Sequence, residues 1–239
     1  MKSIYARLTF IDDLLGTASA DPEIHETFVA SKAPDAQSIA EEVESIGVDG
    51  VVREKSTIFS RDKEGHVHIW GYQVKGQFKA ACGLLRSVEK PGKDSDSLSD
   101  NESGEKKKKK SPAYQSGKLT NYLKKIDGLI HVYPRKIMLN LPEGCSVGSC
   151  QRPLRAKTAQ GDRVALANSE SVPEGTWCDI EIKMIDESHE PMVREWLDFG
   201  EFYGLGQWRN SGKGQFIWEE LDADGNIIPK PEKKSKKSA

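Results

Sequence analysis

The sequence predicts an α+β fold, an antiparallel sheet with helices on one face. Three observations carry this expectation. The segment Ser3–Phe10 alternates apolar and polar residues, the signature of a half-buried strand. Glu190–Phe202 has an amphipathic 3.6-residue period, with Met192, Val193, Trp196, Leu197 and Phe199 near one face. Gln215–Leu221 then reads as a strand that ends at the turn Asp222–Asn226.

The elements follow in order. After the first strand, helices are predicted at Asp21–Ser31, opened by Asp21-Pro22, and at Asp35–Ile46. A hairpin is expected from Ser56–Arg61 and His66–Tyr72 around a turn at Asp62–Gly65. A core helix spans about Lys75–Ser87, burying Phe78, Ala81, Cys82 and Leu85. Lys118–Ile126 suggests a short helix, and Gly128–Asn140 a strand with Pro134 at an edge or bulge. Arg163–Ser169 and Thr176–Ile185 suggest an antiparallel pair around Val172–Gly175. Stripped of the intervening segments, the order is strand, helix, strand, strand, helix, strand. That is the ferredoxin-like (RRM-like) pattern, in which one sheet face is buried under two helices.

Composition bounds the rest. A chain of 239 residues can bury one sizeable core with insertions. One domain over residues 1–228 is expected. Glu89–Ser111 is poor in apolar residues and is expected to be a disordered insertion, its acidic first half offsetting Lys106–Lys110. The lysine-rich tail from Pro229 to Ala239 is expected to be disordered likewise. No apolar run is long enough for a transmembrane helix, and the start reads as a strand rather than a signal peptide, so a cytoplasmic protein is expected. Four scattered cysteines suggest no disulfide framework, and the Cys145–Cys150 spacing is longer than usual for a zinc site; no metal or cofactor is expected.

The net charge is −2, so distribution rather than sum bears on nucleic-acid binding. Arg152, Arg155, Lys157 and Arg163 face only Asp162 in a stretch expected to be a basic loop suited to phosphate contact. Lys75 and Lys79 lie near the predicted N-terminus of the core helix, where free N–H groups favour anions. The densest motif is Gly204-Leu205-Gly206-Gln207-Trp208-Arg209-Asn210-Ser211-Gly212-Lys213-Gly214. Glycines permit positive φ and close backbone approach, and successive N–H groups in such a loop make an anion-favouring concavity. Trp208 supplies a stacking face, and Arg209 and Lys213 supply charge. The set suits a sugar-phosphate backbone with unstacked bases.

Residues 204–214 match the form G-x-G-x5-G-x-G, and this segment between a helix and a final strand resembles the RAMP superfamily, RNA-binding proteins of CRISPR systems. A second, looser similarity is Val74–Cys82, where Lys75-Gly76 stands in place of that family's Lys-Gly pair, with Tyr72, Gln73 and Val74 where serines are usual. The resemblance implies a single-domain backbone or cap subunit that binds single-stranded RNA, with other RAMP-type subunits or further copies of itself as partners. A phage or mobile-element origin suits a lone, lysine-tailed protein of this kind.

The implied contacts are Lys75, Lys79, Arg152, Arg155, Lys157, Arg163, Gly204, Gly206, Trp208, Arg209, Gly212, Lys213 and Gly214. Three alternatives stand beside it. One is a metal-free endoribonuclease using histidine as general acid and base, with His25, His66, His68 and His131 as candidates. His66 and His68 alternate so as to share one strand face. The second is a protein-binding mimic or inhibitor of a CRISPR complex. The third is a binder of single-stranded DNA, since stacking and backbone grooves need no 2′-hydroxyl.

Overall fold

The computed structural model describes residues 1–19, 56–88, 113–158 and 161–229, with side chains at all of these except 56 and 154–166. The predicted helices at 21–31 and 35–46, His25, the insertion 89–111 and residues 230–239 lie outside the described residues.

The first strands are β1 (Lys2–Phe10), β2 (Leu14–Leu15), β3 (Ala18–Ser19), β4 (Ser56–Ile58), β5 (Ser60–Arg61) and β6 (Val67–Trp70). Helix α1 (Gly71–Leu85), a 3-10 turn (Gln115–Lys118) and α2 (Tyr122–Leu129) precede β7 (Ile130–Tyr133) and β8 (Lys136–Met138). A long hairpin, β9 (Gly148–Thr158) and β10 (Gly161–Val172), leads to β11 (Trp177–Met184). The chain continues through α3 (Glu190–Asp198), α4 (Gly200–Tyr203), β12 (Phe216–Leu221) and β13 (Ile227–Ile228).

The central sheet runs β13-β12-β1-β11-β7. Its pairs are all antiparallel. Without β13, these are the fourth, first, third and second strands of a strand–helix–strand–strand–helix–strand unit. The fold is therefore α+β and ferredoxin-like. Along β1 the period of two buries Ile4, Ala6, Leu8 and Phe10, and along β11 it buries Cys178, Ile180, Ile182 and Met184. Helices α1 and α3 cover this face with Val74, Phe78, Ala81, Leu85, Val193, Trp196 and Leu197. The Phe78 and Trp196 rings meet at 5.6 Å between centroids. Burial pushes the thiol of Cys178 up to about 12 and that of Cys82 up to about 11.

Several expectations are corrected. Helix α1 starts at Gly71 rather than Lys75, because extended Trp70 caps it: the Trp70 N–H donates to Gln73 Oε1 at 2.8 Å. The predicted strand 128–140 divides at the cis Tyr133-Pro134 bond, and β7 and β8 join different sheets. The predicted helix 118–126 divides into the 3-10 turn and α2 around left-handed Asn121. The predicted helix 190–202 divides at Phe199, between α3 and α4; at Gly200, which opens α4, a Cβ would lie 2.2 Å from the Phe216 ring.

The expected pairing of 163–169 with 176–185 is not formed. Strand β10 pairs instead with β9 along its length, from Gly161↔Thr158 to Ser171↔Gly148. The turn before β11 is held by β1, with Phe10 N–H on Thr176 O and Gly175 N–H on Phe10 O, both at 2.8 Å. These bonds carry the chain from one sheet to the next rather than closing a hairpin. The expected basic loop at 151–163 is consequently the β9–β10 hairpin.

Candidate nucleic-acid interface

The loop Gly204–Gly214 lies between α4 and β12 and is folded back on itself. Leu205 N–H donates to Gly214 O, and Gly214 N–H to Asp13 O, each at 2.8 Å. Gly204, Gly206, Gly212 and Gly214 all have positive φ, from 66° to 93°. A Cβ at Gly214 would lie 2.0 Å from Leu205 O, and one at Gly204 would lie 2.5 Å from the Gly214 carbonyl. These two glycines are therefore required by close backbone approach as well as by φ.

The N–H groups do not all face outward. Those of Gly204, Gly212 and Gly214 donate to Gly200, Arg209 and Asp13 carbonyls. The loop accordingly presents side chains more than a nest of amides. Trp208 has φ 54°, a left-handed conformation uncommon for a bulky residue, and caps a 3-10 turn over Arg209–Ser211. Its carbonyl accepts from Ser211 N–H at 3.0 Å and from Ser211 Oγ at 2.9 Å.

The predicted cations part into two groups. Lys213 is clasped by Asp12 Oδ1 at 2.8 Å and Asp13 Oδ2 at 2.9 Å, which pushes its ammonium up to about 12. Lys213 thus ties the loop to the end of β1. Lys75 donates to the Asp127 backbone carbonyl at 2.9 Å, and Lys79 pairs with the Asp127 carboxylate at 2.6 Å. Burial lowers the Lys75 pKa. Both lysines turn toward α2, away from the loop.

Arg152 and Arg209 form the second group. Among the described residues neither has a carboxylate partner. Arg152, on β9, is buried, donates from Nη2 to Gln207 Oε1, and lies 5.6 Å from the Trp208 ring centroid. The Arg209 guanidinium lies 4.3 Å over the Tyr203 ring. Arg155, Lys157 and Arg163 are placed by backbone on the same hairpin; Arg155 pairs in register with Val164, and Arg163 with Ala156.

Beside the loop runs a groove of about 260 Å³. Tyr72, Gln73, Gly76 and Gln77 of α1 form one wall, Leu205, Gly206 and Arg209 the other, with Thr17 and Ala18 of the β3 region between them. Gln73 Nε2 donates to Thr17 Oγ1 across it. Among the described residues no atom lies within 4 Å of a Cβ built at Gly76, so the groove is open there.

The histidines are not brought together. His66 precedes β6, is exposed, and lies 3.2 Å from Asp62 Oδ2. His68 is buried against Trp70 at 4.9 Å between centroids. The two do not share an open face, contrary to the alternation reading. His131 is on β7 opposite Lys183, in the central sheet. Gln207, Tyr203, Tyr72 and Gln73 touch or line the candidate site, and no local pattern in the sequence marks them as contacts.

No protein-family model matches the chain, and no curated protein matches it by sequence. Among solved structures it is similar to a chain of a Type III-B Cmr-beta complex bound to cognate target RNA, at 9% identity and a TM-score of 0.44. That match covers 92% of this chain and 60% of the Cmr-beta chain. It is also similar to a chain of a Type IV-B CRISPR complex, at 12% identity and a TM-score of 0.44, covering 96% of this chain and 95% of that one. Among the described residues no helix is long and apolar enough to cross a membrane.

Proposed function

We propose that the chain is a non-catalytic, single-stranded RNA-binding protein of RAMP type that works in the cytoplasm alongside other subunits or copies of itself. The observation that carries the reading is the glycine loop. It sets Trp208 against Arg152 and Arg209 on the wall of an open groove, with neither guanidinium held by a carboxylate among the described residues. Two cations without fixed counter-charges suit phosphates, and a half-buried indole suits a splayed base.

The test uses the full chain and a fluorescein-labelled oligouridylate, with oligodeoxythymidylate as comparison, followed by anisotropy at two salt concentrations. Binding to RNA that weakens steeply with salt is expected. The Trp208→Ala/Arg209→Ala double variant should bind at least about five-fold more weakly, from the 1–3 kcal/mol of one base stack. A folded double variant with unchanged affinity defeats the proposal. A protein that purifies free of nucleic acid and binds neither oligomer points instead to a protein-binding role.

A further inference from the structure

Two unfavourable features meet at one contact. Arg152 is only 8% exposed, and its Nε and Nη1 atoms are buried without a hydrogen-bond partner among the described residues. A guanidinium remains charged and carries five N–H donors, so burying unmet donors is costly. The ring lying 5.6 Å from that guanidinium belongs to Trp208, the residue held at φ 54°. Left-handed backbone is unfavourable for any residue with a Cβ and is seldom occupied by a bulky one. The cation–π contact offsets part of these costs. A movement of the indole off the guanidinium would open the unmet donors of Arg152 to a ligand.

An anion satisfies what the indole only covers. The side edge of arginine, Nε–H with the adjacent N–H of Nη2, matches two oxygens of one acid group, as Arg7 shows with Asp179. We propose that Arg152 is a phosphate subsite gated by Trp208. In the free protein the indole lies over the guanidinium. When a strand binds, the indole swings off to stack on a base, and one backbone phosphate takes the unpartnered Nε–H of Arg152 while one N–H of Nη2 stays on Gln207. The subsite rests on the RNA-binding reading. It adds which cation takes a phosphate, by which edge, and that the loop has a closed and an open state.

The test follows the Arg152 side-chain Nε–H by nitrogen-15 NMR on the full chain. In the free protein this proton should exchange slowly with solvent, and oligouridylate should shift its resonance. Trp208→Gly and Trp208→Asn suit left-handed backbone and remove the cover, so both should abolish the protection. Arg152→Gln should lower the slope of log affinity against log salt by about 0.7, the value for one phosphate on a single strand. A bound oligouridylate that leaves the resonance unmoved overturns the subsite, as does an unchanged salt slope in Arg152→Gln. Persistent protection in a folded Trp208 variant overturns the gate. The shift on the unaltered protein decides the matter even where neither Trp208 variant folds. If the unaltered protein binds no oligouridylate at low salt, the RNA reading fails and the subsite fails with it; binding without the Arg152 signatures defeats the subsite alone.

Discussion

A single methyl group at Gly214 should unseat the loop. The built Cβ lies 2.0 Å from Leu205 O and 3.0 Å from its carbonyl carbon, so the backbone must separate. That separation strains the Leu205–Gly214 and Gly214–Asp13 hydrogen bonds, each at 2.8 Å and each worth about 0.5–1.5 kcal/mol net. The left-handed backbone at φ 74° adds about 1–2 kcal/mol for any residue with a Cβ. Gly214→Ala is therefore expected to cost about 3 kcal/mol, toward the upper range of single substitutions.

Two companion substitutions isolate the cause. Gly212→Ala meets nothing closer than 3.6 Å, so only its φ of 93° opposes it, and about 1–2 kcal/mol is expected. Gly76→Ala lies inside α1 with nothing within 4 Å, and exchanging Gly for Ala in a helix interior should stabilise by about 0.5–1 kcal/mol. Urea unfolding of the three variants, read at equal m-values, gives the order directly. Equal losses for Gly214→Ala and Gly212→Ala would refute the close approach of Leu205 to Gly214, and with it the account of why the loop carries its inner glycines.

Three further outcomes are expected. Gly76→Glu projects a carboxylate into the groove from a position with space for it; oligouridylate affinity should fall at least about five-fold, as for loss of one base contact, while the unfolding midpoint changes little. Arg194 holds Glu220 at 2.7 Å and Glu190 at 2.9 Å; Glu220 is lowered chiefly by Arg194, and Glu190 by Lys2 and then Arg194. Groups lowered from 4.5 in the folded state contribute stability above that pH and lose it as pH falls through their folded values, so Arg194→Met should flatten the acid limb of a plot of Tm against pH. Lys213, raised from 10.5 to about 12 by Asp12 and then Asp13, contributes below 10.5 and loses its contribution as pH rises through about 12; Lys213→Met should flatten the alkaline limb and weaken RNA binding through loss of loop position.

The sequence by itself determined the elements whose pattern is local. The alternation of Ser3–Phe10, the amphipathic period after Glu190 and the glycine spacing at 204–214 each depend on neighbours a few residues away. They suffice for the α+β class and for the ferredoxin-like element order. Only the tertiary structure decided what each charge faces. Lys213 meets Asp12 and Asp13 some 200 residues earlier in the chain, and Lys75 and Lys79 meet Asp127 on another helix. The same holds for strand pairing: residues 161–172 could join either neighbour by pattern, and the bonds of Phe10 to Gly175 and Thr176 settle the choice. The physical reason is common to all of these. A side chain's charge is written in the sequence, but its counter-charge, its burial and its hydrogen-bond partner are set by long-range packing. Arg152, one basic residue among several in sequence, becomes distinct only when the fold lays Gln207 and Trp208 against it.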